Sequence, residues 1–353
     1  MVSENKLIEV SENMNNVDKP SPDKRPVLKL DSLGDWTVFL QDALNGCGYK
    51  PLDLDGNFGP QTLAQVKQFQ LDLGLTVDGV VGVLTWTALD NHPKLFGWLA
   101  EWPSSLSLTG IGGVDTLVNV QKSMIPEAAE LMRTSPRFWG RYFQGNTKNG
   151  EYLHQQENKP LHNAGIRVLP ISRQTNEVGG THQNGVELGT SHANDVLDTF
   201  GEDYLASQGD GFYIFLDVEG VDAQPSLSKE FYKGWSEGVV QASKKVKLLP
   251  SVYLNGSDQT TLRSLSAAIK EGAQCHGLWV ARYDNTPQIS PWDPEKVKFE
   301  SPVPCKVLLR QYIGDVDSTG KVNISNGIYD FSQINPFLDN PELVLQRFVL
   351  PQS

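Results

Sequence analysis

Cysteine is scarce in this chain of 353 residues, which contains only Cys47, Cys275 and Cys305. Three widely separated cysteines cannot build a disulfide framework, and none of them belongs to a CxxC metal-binding pair. The odd number leaves at least one thiol free, which suits synthesis in a reducing compartment. A single bridge between Cys275 and Cys305 stays open as an alternative.

Positive charge and long apolar runs are also scarce. The chain has 30 Lys and Arg against 42 Asp and Glu, a formal net charge of −12 at pH 7. Without a basic patch a protein gains little from releasing phosphate counterions, so we expect no nucleic-acid partner. The sequence has no run of about 18–20 uncharged apolar residues, so we expect no membrane insertion.

The first 33 residues are polar and charged, with hardly any aromatic side chains. They have neither the apolar core nor the small-residue cleavage site of a secretory signal peptide. Segments of this composition cannot bury enough apolar surface to fold. Residues 1–33 are therefore predicted to form a disordered leader.

From residue 34 the pattern changes to short helices separated by glycine turns. Apolar residues recur at helical spacing in "WTVFLQDALNGCGY" and after the turns "DLDGNFGPQT" and "TVDGVVGVLT". The two turns echo each other, because each has DG, an apolar residue, a glycine and then a threonine. Such short helices cannot bury their apolar faces alone. Residues 34–91 are therefore predicted to form a small all-α three-helix bundle.

The pattern LQ…GY…DGxFGPxT…FQ…GL…DG…G…TW, from Leu40 to Leu89, resembles the peptidoglycan-binding domain of cell-wall hydrolases. This resemblance implies that glycan strands of peptidoglycan are a partner, with wall contacts at Asp55, Phe58, Asp78 and Trp86. DG is first of all a turn dipeptide, so the aspartates also have a structural interpretation. Trp86 fits a core position better than a contact.

Residues 92–109 contain two prolines and a serine-rich patch and are predicted to form a linker. In residues 110–353, eight short apolar runs alternate with amphipathic segments, as a (β/α)8 barrel requires. The predicted fold is therefore multidomain, a three-helix bundle followed by an α/β TIM-like barrel. A doubly wound sheet is the alternative, but no dinucleotide-binding glycine fingerprint follows the first run.

The run "GFYIFLDVEG" ends on two carboxylates, Asp217 and Glu219. Residues two apart on a strand face the same side, and barrel enzymes carry their chemistry at the C-terminal ends of strands. Two like charges in one cleft raise the pKa of one of them. Cleavage of a glycosidic bond needs such a pair, one to donate a proton and one to stabilise charge. A solvated strand end is the alternative.

Other acidic, polar and aromatic residues end the remaining predicted strands. Asp115 follows the first apolar run and Asp330 lies in the last, and both are further candidates for catalytic acids. Aromatic side chains near acids are typical of sugar-hydrolysing sites. The predicted substrate contacts are Arg141, Tyr142, Tyr253, Asn255, Trp279, Tyr283, Asp284, Gln311 and Tyr312.

The motifs GVDT, GRYF, LHNAGIRVLPI, FLDVEG, VYLN, LWVARYD, RQY and YDFSQINPF resemble the barrel of lysozyme family 25 and its relatives of uncertain function. This resemblance implies that Glu219 is the general acid/base and Asp217 its partner. It also implies that Asp115 and Asp330 are the acids of the first and last strands. Two motifs depart from the family: GVDT has no following serine, and LRQY replaces WQY.

The two resemblances together predict a monomeric glycoside hydrolase that needs no cofactor or metal. It would cleave the β-1,4 bond between N-acetylmuramic acid and N-acetylglucosamine. One alternative is a non-catalytic wall-binding protein whose barrel only binds glycan. Another is a zinc amidase or peptidase, although the six histidines form no HExxH motif.

The place of action follows from the missing signal peptide and the resemblance to wall hydrolases. We expect synthesis in the cytoplasm and action on the cell wall or periplasm after release or injection. The first route describes a phage endolysin. The second describes an antibacterial effector, with a delivery system and an immunity protein as partners. The sequence does not choose between them.

Overall fold

The computed structural model describes residues 20–50, 52–95, 109–143, 151–173, 176–219, 225–300, 303–322, 327–338 and 340–353. The chain divides into two compact units, residues 1–109 and 110–353. Each unit has its own core of buried apolar side chains. The first part of the predicted leader, residues 1–19, and most of the predicted linker, residues 96–108, lie outside the described residues.

The N-terminal unit has three α-helices in its described part: α1 (Asp35–Gly46), α2 (Pro60–Asp72) and α3 (Val83–Asp90). A glycine precedes each helix, and a proline starts α2, where its missing N–H costs nothing. The helices share one core in which the rings of Trp36 and Trp86 meet edge to face with centroids 5.7 Å apart. The helical character predicted for this unit is confirmed.

Residues 20–33 pack against these helices. Leu28 is only 1% exposed and exchanges two backbone hydrogen bonds with Val81. The indole N–H of Trp86 donates to the carbonyl of Pro26 at 2.8 Å, and Arg25 pairs with Asp90 at 2.7 Å. The prediction of a disordered leader is therefore wrong for this stretch, because its partners lie more than 50 residues further along the chain.

The C-terminal unit is a closed barrel of eight strands that neighbour one another in chain order. Each apolar run predicted to be a strand overlaps one of them. The strands are β1 (Gly112–Asp115), β2 (Phe138–Phe143), β3 (Arg167–Arg173), β4 (Gly211–Val218), β5 (Lys247–Asn255), β6 (Leu278–Ala281), β7 (Val307–Val316) and β8 (Tyr329–Ile334).

Helices follow most of the strands and cover the barrel. Four of them lie where amphipathic segments predict them, and three were not predicted. One of these three contains Pro160, and proline normally interrupts a helix. The helices are α4 (Met124–Met132), α5 (His154–Asn163), α6 (His182–Phe200), α7 (Glu202–Gln208), α8 (Lys229–Ala242), α9 (Gln259–Lys270) and α10 (Pro341–Gln346).

The eighth strand departs from a regular (β/α)8 arrangement. β8 runs antiparallel to both β7 and β1, whereas the other neighbouring strands pair in parallel. A parallel return needs a long crossover, usually a helix. The described residues between β7 and β8 contain no helix. The start of β8 therefore lies at the same rim of the barrel as the ends of the other strands.

Two helices of the outer layer touch through their backbones. Gly185 and Gly189 of α6 face Gly234 and Gly238 of α8. A Cβ atom at Gly189 would lie 2.2 Å from the carbonyl oxygen of Trp235. Backbone atoms cannot rotate aside, so these four positions require glycine while the helices stay this close.

Apolar side chains fill the barrel interior below the rim where β8 begins. Phe138, Phe215 and Trp279 belong to this inner cluster. Phe348, which follows α10, packs edge to face on Phe138 with ring centroids 5.3 Å apart, so the chain end closes the opposite side of the barrel. None of the helices in the described ranges is both long and apolar enough to cross a lipid bilayer.

Candidate active site

A cavity of about 360 Å³ opens at the rim formed by the C-terminal ends of β1–β7 and the start of β8. Four carboxylates predicted from the sequence line it, together with six of the nine predicted substrate contacts. The lining residues are Asp115, Leu117, Tyr142, Ile171, Asp217, Glu219, Tyr253, Asn255, Trp279, Ala281, Tyr283, Gln311, Asp315 and Asp330.

The alternation of β4 carries its two acids to this cavity. Tyr213 and Phe215 lie in the inner cluster of the barrel, so Asp217 continues the same inward face. Glu219 follows two positions later and also lines the cavity. The two differ in depth: Asp217 is 2% exposed, whereas Glu219 is partly exposed at the mouth.

Asp115 and Asp330 face each other directly across β1 and β8. Burial raises the pKa of the Asp115 carboxyl well above its usual range, and the nearby Asp330 and Asp217 raise it further. Burial also raises the pKa of Asp330, to about 7, although the backbone N–H of Asp315, which donates at 2.7 Å, favours its charged form. The hydrogen bond between the two carboxyl groups raises the pKa of Asp115 and lowers that of Asp330, so it favours a proton on Asp115. Near neutral pH the pair therefore holds at least one proton.

Gln311 connects this acid pair to two tyrosines. Its Nε2 donates to Asp115 Oδ2 at 3.2 Å, and its Oε1 accepts from the hydroxyls of Tyr253 at 2.8 Å and Tyr283 at 3.0 Å. Burial raises the pKa of both tyrosine hydroxyls above the ordinary value, so they remain protonated donors. The amide is thereby held by three hydrogen bonds on the floor of the cavity.

Three predicted substrate contacts lie elsewhere. Arg141 points away from the cavity and is buried against Glu157, with its Nε 2.6 Å from Oε2. The hydroxyl of Tyr312 donates to the carbonyl of Pro287 at 3.1 Å in the layer between barrel and helices. The outward positions of Arg141 and Tyr312 follow from strand alternation, because their immediate neighbours Tyr142 and Gln311 face inward. We correct the prediction for both.

Asp284 is the third of these residues. Its carboxylate pairs with Arg310 at 2.6 Å and with Lys296, and it does not line the cavity. The residue follows the end of β6, where the outward alternation carries it to the two cations. An aspartate held by two cations is occupied in a structural ion pair, so the prediction of a substrate contact is corrected here too.

The sequence reasoning missed Asp315 as a lining residue. It lies in β7, where the pairing with β8 shifts register, and its φ of 53° places it in the left-handed region. Asp is among the residues that tolerate this conformation. The irregularity turns a fifth carboxylate toward the cavity. The only signal in the sequence is the acidic run "GDVD" after the apolar part of the strand.

In the N-terminal unit the two DG turns are built in the same way, each around a buried glutamine. Gln41 Nε2 donates to Asp55 Oδ1 at 2.7 Å and to Thr62 Oγ1 at 3.2 Å. Gln41 Oε1 accepts from the backbone N–H of Gly56 at 3.1 Å. The amide thus ties the turn to the start of α2.

The second turn repeats this network. Gln70 Nε2 donates to Asp78 Oδ1 at 2.9 Å and to Thr85 Oγ1 at 3.3 Å, and Gln70 Oε1 accepts from the N–H of Gly79 at 2.8 Å. The echo between "DLDGNFGPQT" and "TVDGVVGVLT" is therefore an internal repeat in three dimensions. The glutamines that complete it lie 9 or 15 residues before the glycine of the turn and 15 or 21 residues before the threonine.

These networks decide which predicted wall contacts are accessible. Phe58 and Trp86 are fully buried in the core of the unit, which corrects their prediction as wall contacts. Asp55 and Asp78 are exposed, although each uses one carboxylate oxygen to hold its turn. They stay predicted contacts. Within the ranges that the structure describes, no group of three or more His, Cys, Asp and Glu side chains is arranged to hold a metal ion.

Comparison with known proteins agrees with the first resemblance. Residues 36–89 match the family model of a putative peptidoglycan binding domain. A stretch of 66 residues is 50% identical to an uncharacterised protein in the bpoA1 3' region of Kitasatospora aureofaciens. The matched stretch covers 18% of this chain and 56% of that protein. This chain thus matches about half the length of that relative. The N-terminal unit is similar to peptidoglycan-binding domains, as the DG turns indicate.

Solved structures that resemble the larger unit include two bacterial proteins. An uncharacterised protein of B. stearothermophilus is 18% identical with a TM-score of 0.49, over 68% of this chain and 100% of that chain. The bacterial lysozyme from Streptomyces coelicolor is 20% identical with a TM-score of 0.37, over 69% and 97% of the two chains. Similarity at this level assigns no function to the barrel.

Proposed function

We propose that this protein is a peptidoglycan hydrolase whose N-terminal unit binds the cell wall and whose barrel cleaves the glycan strands. The observation that carries the proposal is the set of five carboxylates in one aromatic-lined cavity, on a chain that also matches the model of a putative peptidoglycan binding domain. Attachment to the wall raises the concentration of cleavable bonds around the barrel without any change in the cavity itself.

The proposed reaction is hydrolysis of the β-1,4 bond between N-acetylmuramic acid and N-acetylglucosamine. Glu219, at the mouth of the cavity, donates a proton to the leaving glycosidic oxygen. Asp217, deeper and 2% exposed, orients the acetamido group of the substrate or stabilises the positive charge that develops on the sugar. The position of Glu219 at the mouth, where a glycan strand would enter the cavity, supports its assignment as the proton donor.

Asp115 and Asp330 contribute by limiting the charge of the cavity. Four ionised carboxylates in one small cavity would repel one another strongly. The proton held by Asp115 removes one of these charges, and the pKa of about 7 at Asp330 removes a second below neutral pH. The pair thereby lowers the negative charge around the reacting sugar. We assign both residues a positioning role.

Aromatic rings provide the walls on which sugar rings would lie. Tyr142, Tyr253 and Trp279 line the cavity, and Tyr283 is 53% exposed at its rim. Asn255 also lines the cavity and offers an amide for hydrogen bonds with substrate hydroxyls. Ligand sites commonly combine such apolar walls with a few fixed polar groups.

The test is mass analysis of the soluble fragments released from purified peptidoglycan. We expect wild type to release fragments with new muramic-acid reducing ends. Glu219→Gln should lower the rate roughly 10²- to 10⁴-fold, the contribution of a general acid. The matched control is Glu187→Gln, an exposed residue of α6.

The outcomes separate the alternatives. Full lytic activity in Glu219→Gln would remove the proposed acid. No fragments from wild type, with protein that sediments with the wall, would show a glycan-binding barrel without catalysis. Fragments cleaved in the peptide instead of the glycan would show an amidase or peptidase.

A further inference from the structure

The two cysteines of the barrel lie side by side on the face opposite the cavity. Cys275 precedes β6 and Cys305 precedes β7, at the N-terminal ends of these strands. Their Sγ atoms are 3.0 Å apart, and both residues are partly exposed. Neither takes part in the proposed hydrolysis.

The strand pairing supports a covalent bond between these residues. β6 and β7 are parallel neighbours, with Leu278 opposite Val307, so the two cysteines lie two to three residues before paired positions. Neighbouring strands are about 4.8 Å apart, which falls within the range of about 4.4–6.8 Å found between Cα atoms of disulfides. Closing 3.0 Å to the bond length of about 2.05 Å needs a shift of roughly 1 Å.

The surroundings make Cys275 the nucleophile of the two. Burial opposes its ionisation, but hydrogen bonding with the Cys305 thiol and the Tyr232 hydroxyl lowers the pKa of Cys275 below the ordinary value. Tyr232 is itself fixed in the core, and its hydroxyl oxygen lies 2.9 Å from the carbonyl oxygen of Gln274. The same contact and burial raise the pKa of the Cys305 thiol. The thiolate is the reactive form of cysteine.

We propose that Cys275 and Cys305 form a reversible disulfide when the protein meets a disulfide donor. The Cys275 thiolate attacks one sulfur of the donor RSSR and forms a mixed disulfide, and RS⁻ leaves. Cys305 then loses its proton, attacks the Sγ of Cys275 and expels the second RS⁻. Two protein thiols are oxidised, the donor is reduced to two RSH, and the protons lost by the cysteines end on these thiols.

This disulfide would cross-link the two ends of the barrel segment that lies between the two cysteines. Residues 276–304 include β6 and the cavity residues Trp279, Ala281 and Tyr283. A disulfide that closes a loop of about 30 residues mainly restricts the unfolded chain. We expect the oxidised protein to have a Tm roughly 5–10 °C higher than the reduced protein.

Cys47 is an internal control for the reaction. It is buried in the core of the N-terminal unit, and burial raises the pKa of its thiol to about 11. A thiol in this state is a poor nucleophile at neutral pH. We therefore expect it to stay reduced while the other two cysteines react.

The experiment equilibrates the full chain with oxidised and reduced glutathione, then labels free thiols with a maleimide in denaturant and measures the mass. Wild type should pass from three labels to one, and a proteolytic peptide pair should join Cys275 to Cys305. Cys305→Ser should accumulate the mixed disulfide on Cys275, whereas Cys275→Ser should stay unmodified at Cys305. The increase in Tm should occur only in oxidised wild type and should disappear with dithiothreitol.

Three results would overturn the proposal. One is wild type that keeps three labels in excess oxidised glutathione. Another is a bond that involves Cys47 or a second chain. The third is a disulfide that forms without any increase in Tm, because the cross-link around β6 would then not restrict the unfolded chain. Lytic activity is not a readout here, so the result does not depend on the proposed function.

Discussion

Replacement of Asp330 by asparagine should stabilise the folded protein above pH 7 and leave it little changed near pH 4. The carboxyl has a pKa of about 7 in the fold against a reference value of 3.8, chiefly because it is buried. A group whose pKa is raised by folding stabilises the fold at low pH, and that contribution is lost as the pH rises through the folded value. In wild type, stability should therefore fall between about pH 4 and pH 7.

The size of the effect follows from the shift. A difference of about three pKa units, at 1.36 kcal/mol each, corresponds to roughly 4 kcal/mol. This is an upper limit, because Asp115 shares a proton with Asp330 and the titration belongs to the pair. Asparagine cannot ionise, and it keeps an oxygen that can accept from the N–H of Asp315. We expect the variant to gain about 2–4 kcal/mol at pH 8.

Urea unfolding at pH 4.5 and pH 8, with wild type and variant side by side, measures the difference. The matched control is Asp317→Asn in the β7–β8 connection. A hydrogen bond from the Thr319 hydroxyl lowers the pKa of Asp317, so its stabilising effect is present at pH 8 and lost in acid. The control should therefore lose stability at pH 8. An Asp330→Asn protein that is less stable than wild type at pH 8 would refute the assignment of a buried, raised carboxyl.

Two further predictions concern packing and the repeated turns. Gly189→Ala should destabilise the barrel by about 3 kcal/mol in thermal or urea unfolding, because the added Cβ meets the backbone of Trp235. The control Gly209→Ala should be near neutral, because its Cβ meets only ordinary contacts. Equal effects of the two substitutions would contradict the close contact between the helices. Gln70→Leu should lower the stability of the N-terminal unit by about 2–3 kcal/mol in urea unfolding, because the buried N–H of Gly79 in the DG turn loses its acceptor. The control Gln68→Leu, at an exposed position, should cost little. An unchanged stability of Gln70→Leu would show that the amide network does not hold the turn.

Local periodicity explains how much of the fold could be predicted. The eight apolar runs became the eight strands because a buried strand needs only a few consecutive apolar or β-branched residues. The placement of Asp217 and Glu219 at one cavity followed from the two-residue repeat of a strand. The same repeat places Arg141 and Tyr312 on the outer face, because their neighbours Tyr142 and Gln311 face inward.

Other features depend on partners far along the chain. The pairing of Asp115 with Asp330 needs β8 to run antiparallel beside β1, more than 200 residues away. The packing of Leu28 on Val81 and the contact between Cys275 and Cys305 are of the same kind. The spacing of residues within a short stretch of sequence does not reveal which distant residue each of these will contact.

The sequence alone therefore determined the order of the eight strands, the helical N-terminal unit with its DG turns, and the candidate acids on β4. These properties arise from interactions within a few residues, where side-chain spacing and backbone geometry suffice. The tertiary structure alone decided the direction of β8, the pairing of Asp115 with Asp330, and the meeting of the two barrel cysteines. Each of these requires the barrel to close, since closure brings distant segments into hydrogen-bonding distance and removes their carboxyl groups from water.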